Sequence, residues 1–106
     1  MSDELSERQA RDVPRIGDWN RLLEDRVAVV TGGGAGIGGA ISALFGAHGA
    51  HVEVAEIDPE RAERIRADVA DAGGRINAHV VDVTVDGDVA RLAEGVLDRH
   101  GRVDVL

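Results

Sequence analysis

An apolar run that leads straight into a cluster of glycines constrains this chain more than any other feature. Residues 27–38 read Val-Ala-Val-Val-Thr-Gly-Gly-Gly-Ala-Gly-Ile-Gly. The four apolar residues predict a buried strand, and the amphipathic pattern after the glycines predicts a helix. Glycines let the backbone turn tightly and approach a ligand closely, while the free N–H groups at a helix start attract phosphate oxygens. We therefore expect a strand, a glycine-rich turn and a helix that together hold a phosphate or pyrophosphate group.

Strand-like and helix-like stretches alternate along the rest of the chain. On the first helix, apolar residues at helical spacing predict one face that packs on a sheet: Ile37, Ala40, Ile41, Leu44 and Phe45. The pattern then predicts a second strand over 50–55, a third over 76–83 and a fourth beginning at Val103. Between the second and third strands it predicts a helix that is capped by Asp58 and Pro59 and has one apolar face of Ala62, Ile65 and Val69. Between the third and fourth strands it predicts a helix that is capped by Asp86 or Asp88, with the apolar residues Val89, Leu92, Ala93, Val96 and Leu97.

This alternation predicts an α/β fold, a Rossmann-like doubly wound parallel sheet with strand order 3-2-1-4, truncated within the fourth strand. Glu53 fits such a sheet poorly, because a central parallel strand is normally apolar on both faces. It lies either near the entry of its strand or beside an Arg, and the sequence leaves both alternatives open.

Composition narrows the classes of protein that this chain can belong to. At 106 residues it forms one small domain at most, with a polar and largely flexible N-terminal extension over 1–25 and a partial nucleotide-binding domain over 26–106. The absence of Cys excludes disulfides and thiolate metal sites, and the histidines form no metal-ligand pattern. The net charge of −8 argues against nucleic-acid binding, and no apolar run is long enough for a membrane helix. We expect a cytoplasmic protein with no metal, nucleic-acid or membrane partner.

The glycine cluster also resembles a known family motif. Thr31-Gly32-Gly33-Gly34-Ala35-Gly36-Ile37-Gly38 matches the T-G-x-x-x-G-x-G turn of the short-chain dehydrogenases/reductases at every fixed position. Three further segments are similar to that family and follow in the same order: Glu56 after the second strand, Asp82-Val83-Thr84 after the third, and Gly101 to Leu106 on the approach to the fourth.

The resemblance implies a site for NAD. It places the pyrophosphate at Thr31, Gly32, Gly36, Ile37 and Gly38, the adenosine ribose at Glu56, and the adenine at Asp82 and Val83. A carboxylate at Glu56 would repel the 2′-phosphate of NADP, so NAD is favoured. Asp58 competes for the ribose role, although its position before Pro59 suits a helix cap better.

The catalytic half of the family's site is missing from this sequence. The family uses a Tyr, a Lys four residues later and a Ser, whereas this chain has no Tyr or Lys and its only serines are Ser2, Ser6 and Ser42. We therefore expect no catalytic residue here. The resemblance implies the N-terminal part of an NAD-dependent oxidoreductase that acts on a small alcohol or carbonyl substrate, and a homo-oligomer only for the full-length form. The alternatives are a stand-alone non-catalytic nucleotide-binding module and a non-functional truncation product.

Overall fold

The computed structural model describes residues 21–106, and the expectations for the part of the extension before residue 21 lie outside the described residues. Within these residues, three strands alternate with three helices: β1 (Val27–Thr31), α1 (Gly36–Ala47), β2 (His51–Glu56), α2 (Pro59–Asp71), β3 (Arg75–Val80) and α3 (Asp86–His100).

All strand pairs in the sheet are parallel. β2 lies between β1 and β3, with Val27 opposite His51 and His51 opposite Arg75. On the free side of β1, Val105 forms a parallel bridge with Ala28. The segment predicted to begin the fourth strand therefore joins the sheet at this single bridge, and the predicted order 3-2-1-4 is confirmed. Because parallel strands end at the same edge, the turns after β1, β2 and β3 all meet there.

The helices cover the two faces of the sheet unequally. The larger core cluster contains Val52 and Val54 of β2 with Ile65 and Val69 of α2, and Phe45 of α1 packs against it. On the opposite face, Val96 of α3 packs with Val27 and Val29 of β1. The apolar face predicted for α2 is confirmed, since Ala62, Ile65 and Val69 are all buried. Of the five residues predicted for the face of α3, only Val96 is fully buried.

The face predicted for α1 is wrong at four of its five residues, and only Phe45 packs on the core. Ile37 is 83% exposed, Leu44 is 57% exposed, and Ala40 and Ile41 are also exposed. The residues that α1 buries are Gly39, Ser42 and Gly46. The physical reason is close packing: a Cβ at Gly46 would lie 2.7 Å from Val69 Cγ1, so only a residue without a side chain lets α1 approach α2 this closely.

Two element boundaries also differ from the prediction. β3 ends at Val80 and not at Val83, because the side chain of Asp82 accepts hydrogen bonds from the N–H and the hydroxyl of Thr84 and so turns the chain. Neither Asp86 nor Asp88 caps α3. Its N-cap is Val85, and Asp88 accepts a hydrogen bond from the Asp82 N–H instead.

Glu53 is fully buried in the middle of β2 and is paired with an Arg, one of the two alternatives that the sequence leaves open. Its Oε1 accepts hydrogen bonds from Arg99 Nε at 2.8 Å and Asn77 Nδ2 at 3.1 Å. His79 Nε2 lies 2.6 Å from Oε2, and His100 Nε2 lies 2.9 Å from Oε1. Burial by itself raises the pKa of Glu53, but these hydrogen bonds, that from Arg99 foremost, outweigh it and lower the pKa to about 2.

Candidate functional site

The glycine turn after β1 presents an uncapped helix start. The N-cap of α1 is Ala35, which offers no side-chain hydrogen bond, and the first turn of α1 contains no acidic residue. By contrast, Asp58 caps α2 by accepting hydrogen bonds from the N–H groups of Glu60 and Arg61. The first N–H groups of a helix have no partner within the helix and carry a partial positive charge. The start of α1 is therefore open to an anionic group, whereas the carboxylate of Asp58 already occupies the start of α2.

The backbone of the turn requires glycine at several positions. Gly32 and Gly36 have φ values of +63° and +57°, a region that favours glycine, and a Cβ at either would meet no atom within 4 Å. A Cβ at Gly38 would lie 2.2 Å from Gly32 O, so that position is closed to any side chain. Gly32 and Gly36 therefore face open space, whereas the missing side chain at Gly38 lets the start of α1 pack directly against the backbone of Gly32.

A buried serine fixes the turn on α1. Ser42 is fully buried, and its hydroxyl lies 3.1 Å from Gly33 O and 2.9 Å from Gly38 O. One hydroxyl has a single proton to donate, and either carbonyl can accept it. The sequence analysis did not assign this residue to the site. A serine among small and apolar residues of a helix was the available signal.

Glu56 connects the turn to the end of β2. Its Oε1 accepts a hydrogen bond from the Gly34 N–H at 3.1 Å, and its Oε2 accepts one from the Asp58 N–H at 3.1 Å. The residue is only 5% exposed. Gly34 is part of this contact, because a Cβ there would lie 2.6 Å from Glu56 Cγ. The structure thus brings Glu56 and the glycine turn together, and Glu56 also positions the loop.

The segment after β3 lies at the same edge of the sheet. Val81 donates a backbone hydrogen bond to Glu56 O at 3.1 Å, which fixes the Asp82 segment beside the end of β2. Within the described residues, Asp82 uses its Oδ1 for Thr84 and has no partner for Oδ2. The hydrogen bonds from the hydroxyl and N–H of Thr84 lower the pKa of Asp82. Val83 is 55% exposed and, like Thr31, lines an apolar cavity of about 310 Å³ between α3 and the free side of β1.

Two classes of site find no support in the part of the chain from residue 21 onward. There, no group of three or more His, Asp or Glu side chains is arranged to hold a metal ion. Over the same residues, no helix has the length and apolar character needed to cross a bilayer.

The parallel sheet, the helices on both of its faces and the glycine turn at its carboxyl edge define an α/β domain of the Rossmann type. Residues 26–106 match the family model described as short chain dehydrogenase, and the chain belongs to this family.

Curated relatives support the assignment. The chain is 43% identical over 86 residues to sex determination protein tasselseed-2 of Zea mays, a match that covers 80% of this chain and 25% of the relative. It is 33% identical over 87 residues to 7alpha-hydroxysteroid dehydrogenase of Escherichia coli K12, covering 82% of this chain and 34% of the relative. The chain thus spans about a quarter to a third of the length of these relatives.

Solved structures also support the assignment to the short-chain dehydrogenase family. A metagenomic short-chain oxidoreductase in complex with NADP superposes with a TM-score of 0.75 at 40% identity, covering 79% of this chain and 38% of the other. A 7 alpha-hydroxysteroid dehydrogenase complexed with NADH and 7-oxo glycochenodeoxycholic acid gives a TM-score of 0.76 at 32% identity, covering 81% and 34%. Both neighbours bind a nicotinamide cofactor, one NADP and the other NADH.

Proposed function

We propose that residues 26–106 form the adenosine and pyrophosphate part of the cofactor site of an NAD-dependent oxidoreductase. The observation that carries this proposal is the uncapped start of α1 beside the buried carboxylate of Glu56 at one edge of the sheet. The residues fit the cofactor because open space borders Gly32 and Gly36, where an added Cβ would meet nothing. The N–H groups of the α1 start would hold the pyrophosphate, together with the turn residues Thr31, Gly32, Gly36, Ile37 and Gly38.

The adenosine end of the cofactor would lie along the carboxyl ends of β2 and β3. Each oxygen of Glu56 already accepts one hydrogen bond from the backbone, and each has a second lone pair that can accept a ribose hydroxyl. Oδ2 of Asp82, which has no partner among residues 21–106, would accept a hydrogen bond from the adenine amino group, with Val83 against the ring. Asp58 is a weaker candidate for the ribose, since its Oδ1 already accepts two hydrogen bonds at the start of α2 and its Oδ2 lies 3.8 Å from Arg61 Nε.

NAD is the proposed cofactor because Glu56 places a negative charge where NADP carries its 2′-phosphate. When bound, the cofactor accepts the hydride in the oxidation of an alcohol and supplies it in the reduction of a carbonyl. This chain has no Tyr or Lys to hold or move the accompanying proton, so catalysis needs residues beyond those in the sequence. The proposed substrate is a small alcohol or carbonyl compound, and the proposed full-length form is a homo-oligomer. The proposed location is the cytoplasm, which the absence of Cys supports because disulfides are rare there.

A titration of the chain with NAD and NADP by isothermal calorimetry tests the proposal. Wild type should bind NAD more tightly than NADP, and Glu56→Gln should narrow that preference about tenfold, the usual effect of one charge-assisted hydrogen bond. Gln keeps an acceptor for the Gly34 N–H, but its NH₂ group replaces the oxygen that accepts a hydrogen bond from the Asp58 N–H, so circular dichroism of the variant must first show that the fold is retained. The matched control is Glu60→Gln, which removes one charge from the exposed first turn of α2 and should leave the ratio unchanged.

Two outcomes would change the assignment. If Glu56→Gln weakens NAD and NADP equally while Asp58→Asn alters their ratio, the ribose role belongs to Asp58. If wild type binds neither dinucleotide, the proposed cofactor site is wrong for this chain.

A further inference from the structure

A second polar cluster lies away from the glycine turn, where β3 meets the end of α3. Its buried part is Glu53 with the hydrogen bonds described above. Its outer part is a cleft of about 270 Å³ whose polar lining comes from His79, Arg91 and Arg99. The cleft also borders Val80 and Val81, just before the Asp82 segment, but its arginines are not part of the proposed cofactor site, and β2 lies between β3 and the strand that leads into the glycine turn.

Arg99 has one donor atom in this cleft, Nη2, that faces no acceptor among residues 21–106. The 2.6 Å contact between His79 Nε2 and a Glu53 carboxylate oxygen requires a proton on that nitrogen, because two acceptors repel at this distance. Arg99 Nη2 lies 3.2 Å from the same nitrogen, and a guanidinium has only donors. Two donors therefore face each other, and the described residues provide no acceptor for Arg99 Nη2.

The two arginines lie on one stripe of α3. Arg91, Gly95 and Arg99 are four residues apart, a spacing that places them on the same helix face. A Cβ at Gly95 would lie 3.3 Å from Arg99 Nη1, so the glycine leaves room for the guanidinium to cross the helix toward Glu53. Asp88 pairs with Nη2 of Arg91. Each arginine is thus held by one carboxylate and keeps further N–H groups for a ligand.

We propose that this cleft binds a small oxyanion of the size of inorganic phosphate, held by Arg91 and Arg99. The oxyanion supplies an acceptor for Arg99 Nη2 and for the N–H groups of Arg91 that do not pair with Asp88. Both arginines belong to α3, so binding does not depend on the dinucleotide.

Protection of arginines from phenylglyoxal tests the site one residue at a time. The chain is modified in buffers of increasing inorganic phosphate, with chloride used to keep the ionic strength constant, and each arginine is quantified by peptide mass spectrometry. Phosphate should protect Arg91 and Arg99 saturably and with the same midpoint. Arg66, which forms the same i,i+3 type of ion pair on α2 through Glu63, should not be protected.

Two matched variants complete the test. Arg91→Gln should raise the phosphate concentration that half-protects Arg99 about tenfold, as expected for the loss of one charge-assisted contact. Arg66→Gln removes an equal charge and should change it less than twofold. As a second readout, phosphate at constant ionic strength should raise the melting temperature of wild type more than that of Arg91→Gln. Equal protection of Arg66 and Arg91, or a melting response that Arg91→Gln leaves intact, would overturn the proposal.

Discussion

Replacing Glu53 by Gln tests how the centre of this fold is held together. The carboxylate is fully buried, and Arg99, His79, His100 and Asn77 surround it with donors. Gln keeps the shape of Glu but removes the charge, and its NH₂ group adds a donor where donors already crowd. Arg99, whose side chain is 39% exposed, then loses its counter-charge, and the buried donors around position 53 lose the charged acceptor that they share.

The pKa of Glu53 gives the size of the effect. It falls from the ordinary 4.5 to about 2. At about 1.4 kcal/mol for each pKa unit, this shift corresponds to roughly 3 kcal/mol of stability at neutral pH. Because the folded-state pKa lies below the unfolded one, this stability is fully present above pH 4.5 and is lost as the pH falls from there to about 2. Glu53→Gln should therefore destabilise the chain by about 3 kcal/mol at pH 7, and by progressively less toward pH 2.

Urea unfolding, monitored by circular dichroism at several pH values, measures the loss of unfolding free energy at pH 7 and its dependence on pH. Glu63→Gln is the control, since Glu63 forms an exposed ion pair with Arg66 and its loss should leave the unfolding midpoint almost unchanged. A loss below about 1 kcal/mol at pH 7, or a loss of constant size down to pH 2, would refute the electrostatic account of this cluster.

Three further substitutions probe other parts of the structure. Gly34→Ala should weaken dinucleotide binding in calorimetry at least about tenfold, because the new Cβ would lie 2.6 Å from Glu56 Cγ. Gly87→Ala is the control and should bind the dinucleotide as tightly as wild type, because its Cβ would meet only an arginine side chain at 3.7 Å. Asp58→Ala removes the cap of α2 and should lower the free energy of unfolding in urea by about 1 kcal/mol, so an unchanged midpoint would contradict the capping role. Leu44→Lys places a charge on the exposed apolar face of α1. The variant should therefore begin to aggregate at a higher protein concentration than wild type, as measured by light scattering. An unchanged threshold concentration would show that another surface of the chain associates.

Local patterns predicted the order of the elements well. Asp58 and Pro59 start α2 as expected, and Gly101 ends α3 in the left-handed conformation that a C-terminal glycine adopts. The glycine turn likewise follows β1 directly. Each of these features depends on residues within a few positions along the chain, so the sequence contains the information that determines them.

The residues of the candidate site were predicted less completely. The sequence placed Glu56 and Asp82 at one edge of the sheet, and the structure adds what each is bonded to. Ser42 was missed because its two carbonyl contacts arise only when the turn folds back over α1. His79 was missed because its contact with Glu53 joins residues 26 positions apart.

By itself, the sequence determined the alternation of strands and helices, the glycine turn, and the cap and buried face of α2, because these follow from backbone preferences, short-range hydrogen bonds and helical spacing. Only the tertiary structure decided which face α1 buries and which groups surround a buried charge. On α1, Gly39, Ser42 and Gly46 are buried in place of most of the predicted apolar residues, since small residues allow the closer approach. Glu53 tolerates the interior because Arg99 and His100 reach it from a helix more than 40 positions along the chain.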